Sequence, residues 1–263
     1  SIKPRPATIV DVAREAGVAV GTVSRYINGL PIRGGNRERI AKVIDDLGYR
    51  RNSAAASIKT KTTHIVGMLV PAVSEFHAAL LDQLARRMRQ TGRAVVCFCH
   101  DTEPEAIVDG LEFFAGHRVD AVVMDGNEEL RQRLAPYIEQ GMLVVLYDND
   151  LPNLAADRVF VDNRRSSRRL VDHLLDLGHE RVAIIHGNLR DSVGRDRLEG
   201  YRDALKAHGV REYPELVMDG GWSDQRGYTS MGDLMSLPEP PTAVFGANYN
   251  MSIGALRWLR EHD

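Results

Sequence analysis

The chain has 263 residues, of which 43% are hydrophobic and 27% charged, with a net charge of −2; this is an ordinary soluble composition, long enough for a small module plus one large domain. No run of about 18 apolar residues occurs, so no membrane span is expected, and the N-terminal SIKPRPATIV is too poor in apolar residues for a secretory signal peptide. The small total charge hides an asymmetry: residues 1–63 carry 12 Lys and Arg against 5 Asp and Glu, net +7, whereas residues 64–263 carry 22 against 31, net −9.

Residues 8–28, TIVDVAREAGVAVGTVSRYIN, read as two short helices around a glycine turn. Thr8 is a good N-cap, because its hydroxyl accepts an orphan backbone N–H. Ile9, Val12, Ala13 and Ala16 recur at helical spacing and make one apolar face. Gly17 breaks the run and permits a tight turn. A second helix over residues 20–28 would bury Val23 and Ile27 and leave Gly21, Thr22, Ser24, Arg25 and Asn28 outward, a geometry suited to the DNA major groove. Ala19 stands where a capping side chain would be expected. Gly21 has nothing to read with, so base readout falls on Arg25, with Val20 able to touch a thymine methyl. A basic head on an acidic body is the charge distribution of a modular DNA binder, and phosphate contacts would make its binding strongly salt-dependent.

Residues 36–47 have apolar Ile40, Val43, Ile44 and Leu47 and read as an amphipathic third helix stopped by Gly48. Residues 50–63, RRNSAAASIKTKTT, are alanine-rich between basic flanks and have too little apolar surface to fold alone.

From His64 onward strands alternate with helices. Strands are predicted over residues 64–71, 94–101, 118–126, 143–150, 181–187, 216–220 and 242–248, with a short extended stretch at 159–163; helices are predicted over 76–92, 103–115, 130–141, 166–178, 197–209, 225–237 and 251–263. Continuous Val and Ile runs between helices indicate parallel sheets covered on both faces. Two such series predict two Rossmann-like lobes with a cleft between them. Cys97 and Cys99 share one strand face and are poorly placed for a disulfide. They read as two buried thiols in a reducing cytoplasm rather than a metal site. No phosphate-binding glycine loop follows any strand, and no metal site or cofactor is expected.

Ligands of open α/β sheets sit beyond the C-terminal strand ends. That rule selects Asp125, Asp148 and Asn248 at strand ends, Arg197 at the start of a helix, and Phe76 and Trp222 in loops. Carboxylates that accept, arginine and asparagine that donate, and aromatic surface suit a sugar. Each residue also has a plainer reading: a strand-end acid often caps a helix, an early-helix arginine can be solvated, and a loop tryptophan can be packing. The basic RRSSRR at residues 164–169 is either a solvated helix face or an attraction for an anionic ligand group.

The motifs DVA at residues 11–13, AGV at 16–18 and TVSR at 22–25, ending at Asn28, resemble the headpiece of the LacI/GalR family of bacterial transcription regulators. VDN at 161–163, LGHERVAII at 177–185, GAN at 246–248 and MSIGA at 251–255 extend the resemblance over the whole chain. It implies a small all-α helix-turn-helix headpiece (residues 1–49), a hinge (50–63), and a periplasmic-binding-protein-like α/β core of two parallel-sheet lobes (64–162 and 163–263). It implies a cytoplasmic, non-enzymatic regulator, most simply a repressor, that binds a pseudo-palindromic double-stranded DNA operator as a homodimer. DNA contacts are implied at Thr8, Val20, Gly21, Thr22, Ser24, Arg25 and Asn28, and from the hinge at Asn52, Ala55 and Ile58. Ile58 stands where a leucine usually wedges into the minor groove; a plain flexible linker is the alternative. Asp125, Asp148, Arg197, Trp222 and Asn248 fall on effector-contacting positions, with a sugar or sugar derivative the first choice of small-molecule effector and a purine the second. SEF at 74–76 lacks the family's usual proline, and Tyr249 stands where an acid is common. Relatives continue for several tens of residues beyond the point where this sequence stops, so an incomplete second lobe is expected. Two other classes share parts of this fold. A transport receptor should carry a signal peptide and no basic head, and a sugar kinase or nucleoside hydrolase would need a phosphate loop or an acidic metal cluster.

Overall fold

The computed structural model describes residues 5–50, 62–101, 103–126 and 130–262. The chain divides into two compact units, within residues 1–63 and 64–263.

The first unit contains α1 (Ile9–Glu15), α2 (Val20–Ile27) and α3 (Gly34–Asp46). Thr8 caps α1 reciprocally with Asp11: the Asp11 N–H donates to the Thr8 hydroxyl, and the Asp11 carboxylate accepts from the Thr8 N–H at 2.9 Å and from its hydroxyl at 2.7 Å. Those bonds hold the Asp11 carboxyl below its usual range. Gly17 turns the chain with φ +61°, a left-handed conformation that costs glycine little. Val12, Ala13, Ala16, Val23 and Ile40 are buried together, with Ile9, Tyr26, Ile27, Val43 and Ile44 packed around them. The helix α3 begins two residues before the predicted start, with Arg33 at its N-cap and no side-chain cap. Leu47 is its C-cap and is 38% exposed, not part of the apolar face, because the chain has left the helix there.

Ala19 at the N-cap of α2 has extended backbone (φ −68°, ψ 146°) and no capping side chain. A serine fits that conformation, so Ala19→Ser is expected to stabilise the headpiece by about 1 kcal/mol, read as a higher urea midpoint at unchanged slope. An unchanged or lower midpoint would mean that the free N–H groups of α2 are already satisfied by water.

The second unit has two sheets. In the first, β1 (Ile65–Val70), β2 (Ala94–Cys99), β3 (Ala121–Asp125), β4 (Val144–Tyr147) and β5 (Asp157–Val159) run parallel in the order β2-β1-β3-β4-β5. In the second, β6 (Val182–His186), β7 (Val217–Asp219) and β8 (Ala243–Gly246) run parallel in the order β7-β6-β8. The connecting helices are α4 (Glu75–Gln90), α5 (Pro104–Gly116), α6 (Arg131–Glu139), α7 (Asn163–Asp176), α8 (Ser192–Ala207), α9 (Asp224–Met235) and α10 (Tyr249–His262). The central strands β1 and β6 are buried almost throughout, as their unbroken apolar runs require. One core gathers Leu69, Phe114, Met124 and Leu146; the other gathers Ile184, Tyr201, Leu234 and Met251.

Three expectations shift. The helix α8 starts five residues before residue 197, so Arg197 lies in its second turn rather than at its start. The short strand is Asp157–Val159, and the VDN segment instead leads into α7, with Asp162 as its cap. Cys99 is exposed and Cys97 only half-buried, because β2 is an edge strand; both are free thiols. Burial and the neighbouring Cys99 push the Cys97 thiol up. Among the described residues no helix is long and apolar enough to cross a membrane.

Candidate functional site

Two surfaces carry the residues singled out by the sequence. On the first unit, Val20, Gly21, Ser24, Arg25 and Asn28 line one shallow depression with Ile9 and Leu30. This is the outer face of α2, and Thr22 lies half-buried beside it. Arg25 is exposed but engaged: its guanidinium donates to the Pro31 carbonyl from Nε at 3.3 Å and Nη2 at 3.1 Å. Asn28 donates its amide to the Ser24 carbonyl at 2.9 Å. Thr8 is the α1 cap. Asn52, Ala55 and Ile58 lie outside the described residues.

On the second unit, the C-terminal ends of both sheets face one cleft. The first lobe contributes Asp125, the last residue of β3, and Asp148, just after β4. Asp125 Oδ1 accepts from the backbone N–H of Asn149 at 3.2 Å and from its amide at 3.0 Å. Among the described residues Asp125 caps no helix. Burial and the Asp148 charge push its carboxyl up to about 7. Burial also raises Asp148, although Arg197 and His77 oppose it. Phe76 sits in the first turn of α4, 55% exposed. Its ring centroid is 5.3 Å from His77 and 6.3 Å from Tyr147. The Ser74 hydroxyl accepts from the His77 N–H and lies 2.8 Å from its Nδ1, which fixes the imidazole. Burial lowers the His77 pKa, favouring the neutral ring.

The second lobe contributes Arg197, Trp222 and Asn248. Arg197 Nε donates to Asn163 Oδ1 at 2.9 Å and Nη1 to the Ala247 carbonyl at 2.5 Å. Its guanidinium lies over the Trp222 ring, 5.7 Å from the centroid. The Trp222 indole N–H donates to Asp191 Oδ2 at 2.7 Å. Asp191 holds the N-cap position of α8 yet makes no capping bond; its carboxylate serves the indole instead. Asn248 Oδ1 accepts from the Met251 N–H at 2.9 Å, which leaves its amide as a donor. Asp148 and Trp222 both have left-handed backbone, φ +60° and +66°. For a tryptophan this costs of order 1–3 kcal/mol, a strain typical of functional sites. The two lobes are tied beside the cleft: the Val193 N–H donates to Asn149 Oδ1 at 3.0 Å, and the Asp150 N–H to the Ser192 hydroxyl at 2.9 Å.

The benzo end of Trp222 abuts Gly187, where an added Cβ would sit 2.1 Å from the ring. Gly187→Ala must displace the indole. The expected result is a loss of about 1–3 kcal/mol, as for other overpacked sites, with a changed tryptophan emission. Wild-type emission and stability would show that the ring has room to move.

All six predicted cleft residues come together, and the Arg164–Arg169 cluster stays apart from them. Arg164 pairs with Asp203 at 2.6 Å, Arg168 lies 3.5 Å from Asp172, and Arg165 and Arg169 are exposed, which is the solvated-face reading. The sequence reading missed His77, Tyr147, Asn149, Asn163 and Asp191. Tyr147 ends β4 and was reachable by the same strand-end rule. Asn163 stood within the VDN motif, and Asp191 is an acid just ahead of a helix.

Comparison with known proteins agrees with this architecture. Residues 8–52 match the bacterial regulatory proteins of the lacI family, and residues 63–263 match the periplasmic binding proteins and sugar binding domain of the LacI family. The chain belongs to the LacI family. It is a DNA-binding transcription regulator of that family and not an enzyme. It is 28% identical over 257 residues to the HTH-type transcriptional repressor PurR of Haemophilus influenzae, covering 97% of this chain and 76% of that protein. It is 28% identical over 264 residues to catabolite control protein A of Priestia megaterium, covering 97% and 77%. Among solved structures, the transcriptional regulator CelR–cellobiose complex aligns with a TM-score of 0.69 at 29% identity, over 97% of this chain and 78% of that one. The lac repressor dimer bound to operator and the anti-inducer ONPF aligns with a TM-score of 0.85 over 98% and 78%; at 23% identity it shows the shared LacI-family fold.

Proposed function

We propose that this LacI-family regulator is a cytoplasmic repressor that binds a pseudo-palindromic double-stranded operator as a homodimer and is controlled by a sugar or sugar derivative in the inter-lobe cleft. The headpiece spans residues 1–49, the hinge 50–63, and the two lobes 64–162 and 163–263. The outer face of α2, with Val20, Gly21, Thr22, Ser24, Arg25 and Asn28, reads the major groove, and Thr8 meets the backbone. Asn52, Ala55 and Ile58 of the hinge contact DNA, with Ile58 as the minor-groove wedge. Support for the dimer comes from α4, which buries none of its residues and leaves Leu80, Leu84 and Met88 partly uncovered on one stripe.

The observation that carries the effector reading is the convergence of Asp125, Asp148, Arg197, Asn248, Phe76 and Trp222 on one cleft between two lobes. Carboxylates accept from hydroxyls, the Asn248 amide donates, and the aromatic rings give apolar surface for a sugar ring. The CelR relative is recorded with cellobiose, a sugar, at 29% identity. A purine is the second reading, because the same rings would stack on it. Effector binding would bias lobe rotation and thereby hinge spacing, a coupling free energy between two sites. The test is a screen of sugars and purine bases against operator binding by the full chain. A sugar that shifts operator affinity, with the shift abolished by Arg197→Leu, is the expected result; a purine acting where no sugar does would replace the effector assignment.

A further inference from the structure

The cleft holds an unbalanced set of charges and, among the described residues, a buried hydroxyl without a partner. Asp125 on β3 and Tyr147 on β4 are register partners in adjacent strands, Asp148 follows Tyr147 directly, and the charges of Asp148 and Asp191 both act on Asp125. Arg197 acts on Asp148, and its Nε and Nη1 are already committed to Asn163 and the Ala247 carbonyl. Among the described residues no carboxylate forms an ion pair with it. His77 is held toward its neutral form by burial. Asp191 is partly satisfied by the Trp222 indole. Asp125 has both its bonds on Oδ1, and the Asp148 carboxylate accepts no hydrogen bond among the described residues. The Tyr147 side chain is only 6% exposed, and its hydroxyl has no partner among the described residues. Both Asp125 and Asp148 act on that hydroxyl, which burial and the two carboxylates push well above its usual range. A buried polar group left this way costs about 1–3 kcal/mol, so it points to an absent partner.

We propose that the effector is a protonated amino sugar whose ammonium group binds between Asp125 and Asp148 and donates its third hydrogen bond to the Tyr147 hydroxyl. This rests on the cleft being the effector site. An ammonium has three donors and no acceptor, and the three groups supply three acceptor positions. A neutral hydroxyl offers one donor and leaves the two carboxylates repelling each other. A sugar phosphate adds negative charge where negative charge is already in excess. Asp125, raised to about 7 without a counter-cation, is stabilised as the anion once an ammonium lies beside it.

The test is a calorimetric titration of the full chain with glucosamine, galactosamine and mannosamine, each against its parent hexose, its N-acetyl form and its 6-phosphate. At least one amino sugar is expected to bind tenfold or more tightly than its N-acetyl and parent forms. Asp148→Asn should remove that preference, and Tyr147→Phe, which keeps the packing, should weaken the amine selectively. If a parent hexose or a sugar phosphate binds as well as the amine, the charge inference fails and the cleft remains the effector site. If no probe binds, the inference and the sugar reading of the cleft fail together.

Discussion

Replacing Arg25 with alanine is expected to abolish selection of a symmetric operator from a random duplex library while leaving weak, salt-sensitive DNA binding intact. Arg25 is exposed on the outer face of α2, and its guanidinium is held by the Pro31 carbonyl through both Nε and Nη2. That hold limits the rotamers of a long side chain before DNA arrives, so less entropy is lost on binding. Its neighbours offer little competition for base readout: Gly21 has no side chain, Val20 can only contact a methyl, and the Asn28 amide is spent on Ser24. A bidentate contact to guanine is worth about 1–3 kcal/mol of discrimination per site, or roughly 5- to 150-fold. A symmetric dimer loses it twice. Non-specific binding comes from the other basic residues of the head and depends on phosphate charge, so its salt dependence should change little. Arg25→Lys should not restore selection, because an ammonium cannot form the fork. A mutant that still selects the same site would move readout to another residue; one that loses mainly salt dependence would make Arg25 a phosphate contact.

Much of this fold is legible because its signals are local and repeated. The Thr8 cap, the Gly17 turn and the spacing of Val12, Ala13, Ala16 and Val23 each specify the headpiece independently. In the core, unbroken Val and Ile runs ending in Asp125, Asp148 and Gly246–Asn248 locate the strand ends, and parallel topology places those ends at one cleft. Boundaries are less legible. Residues 192–196 carry no strong helix pattern, yet α8 begins at Ser192 because that hydroxyl and the following N–H bond across to the first lobe. The apolar look of the CFC segment concealed an edge strand, whose exposure depends on sheet order rather than on composition. The roles of Asp191 and Asn163 were hidden for the same reason: each acts on a residue 31 to 34 positions away, Trp222 or Arg197, and no local pattern records such a pair.

Asp125→Asn should stabilise the protein above neutral pH and flatten its stability profile between about pH 4 and 8. Burial and the adjacent Asp148 raise the folded carboxyl to about 7, against 3.8 for a free aspartate. In that window the folded state binds the proton more tightly than the unfolded state does. The stability associated with it is fully present below the unfolded pKa and is lost as pH rises through 7. A shift of this size converts to about 4 kcal/mol; partial exposure of the side chain and relaxation of the cleft reduce the expected change to about 2 kcal/mol. Asparagine keeps an oxygen for the two Asn149 donors and removes the charge, so packing is preserved while the repulsion with Asp148 disappears. Chemical denaturation of wild type and variant at pH 4 and pH 8 reads the effect directly: near-equal stability at pH 4 and a more stable variant at pH 8. Parallel profiles would mean that Asp125 ionises in the folded protein as easily as in the unfolded chain, and that the cleft holds it without strain. The expected profile instead makes Asp125 a residue retained at a cost to the apo protein, which is the behaviour of a binding group whose partner arrives with the ligand.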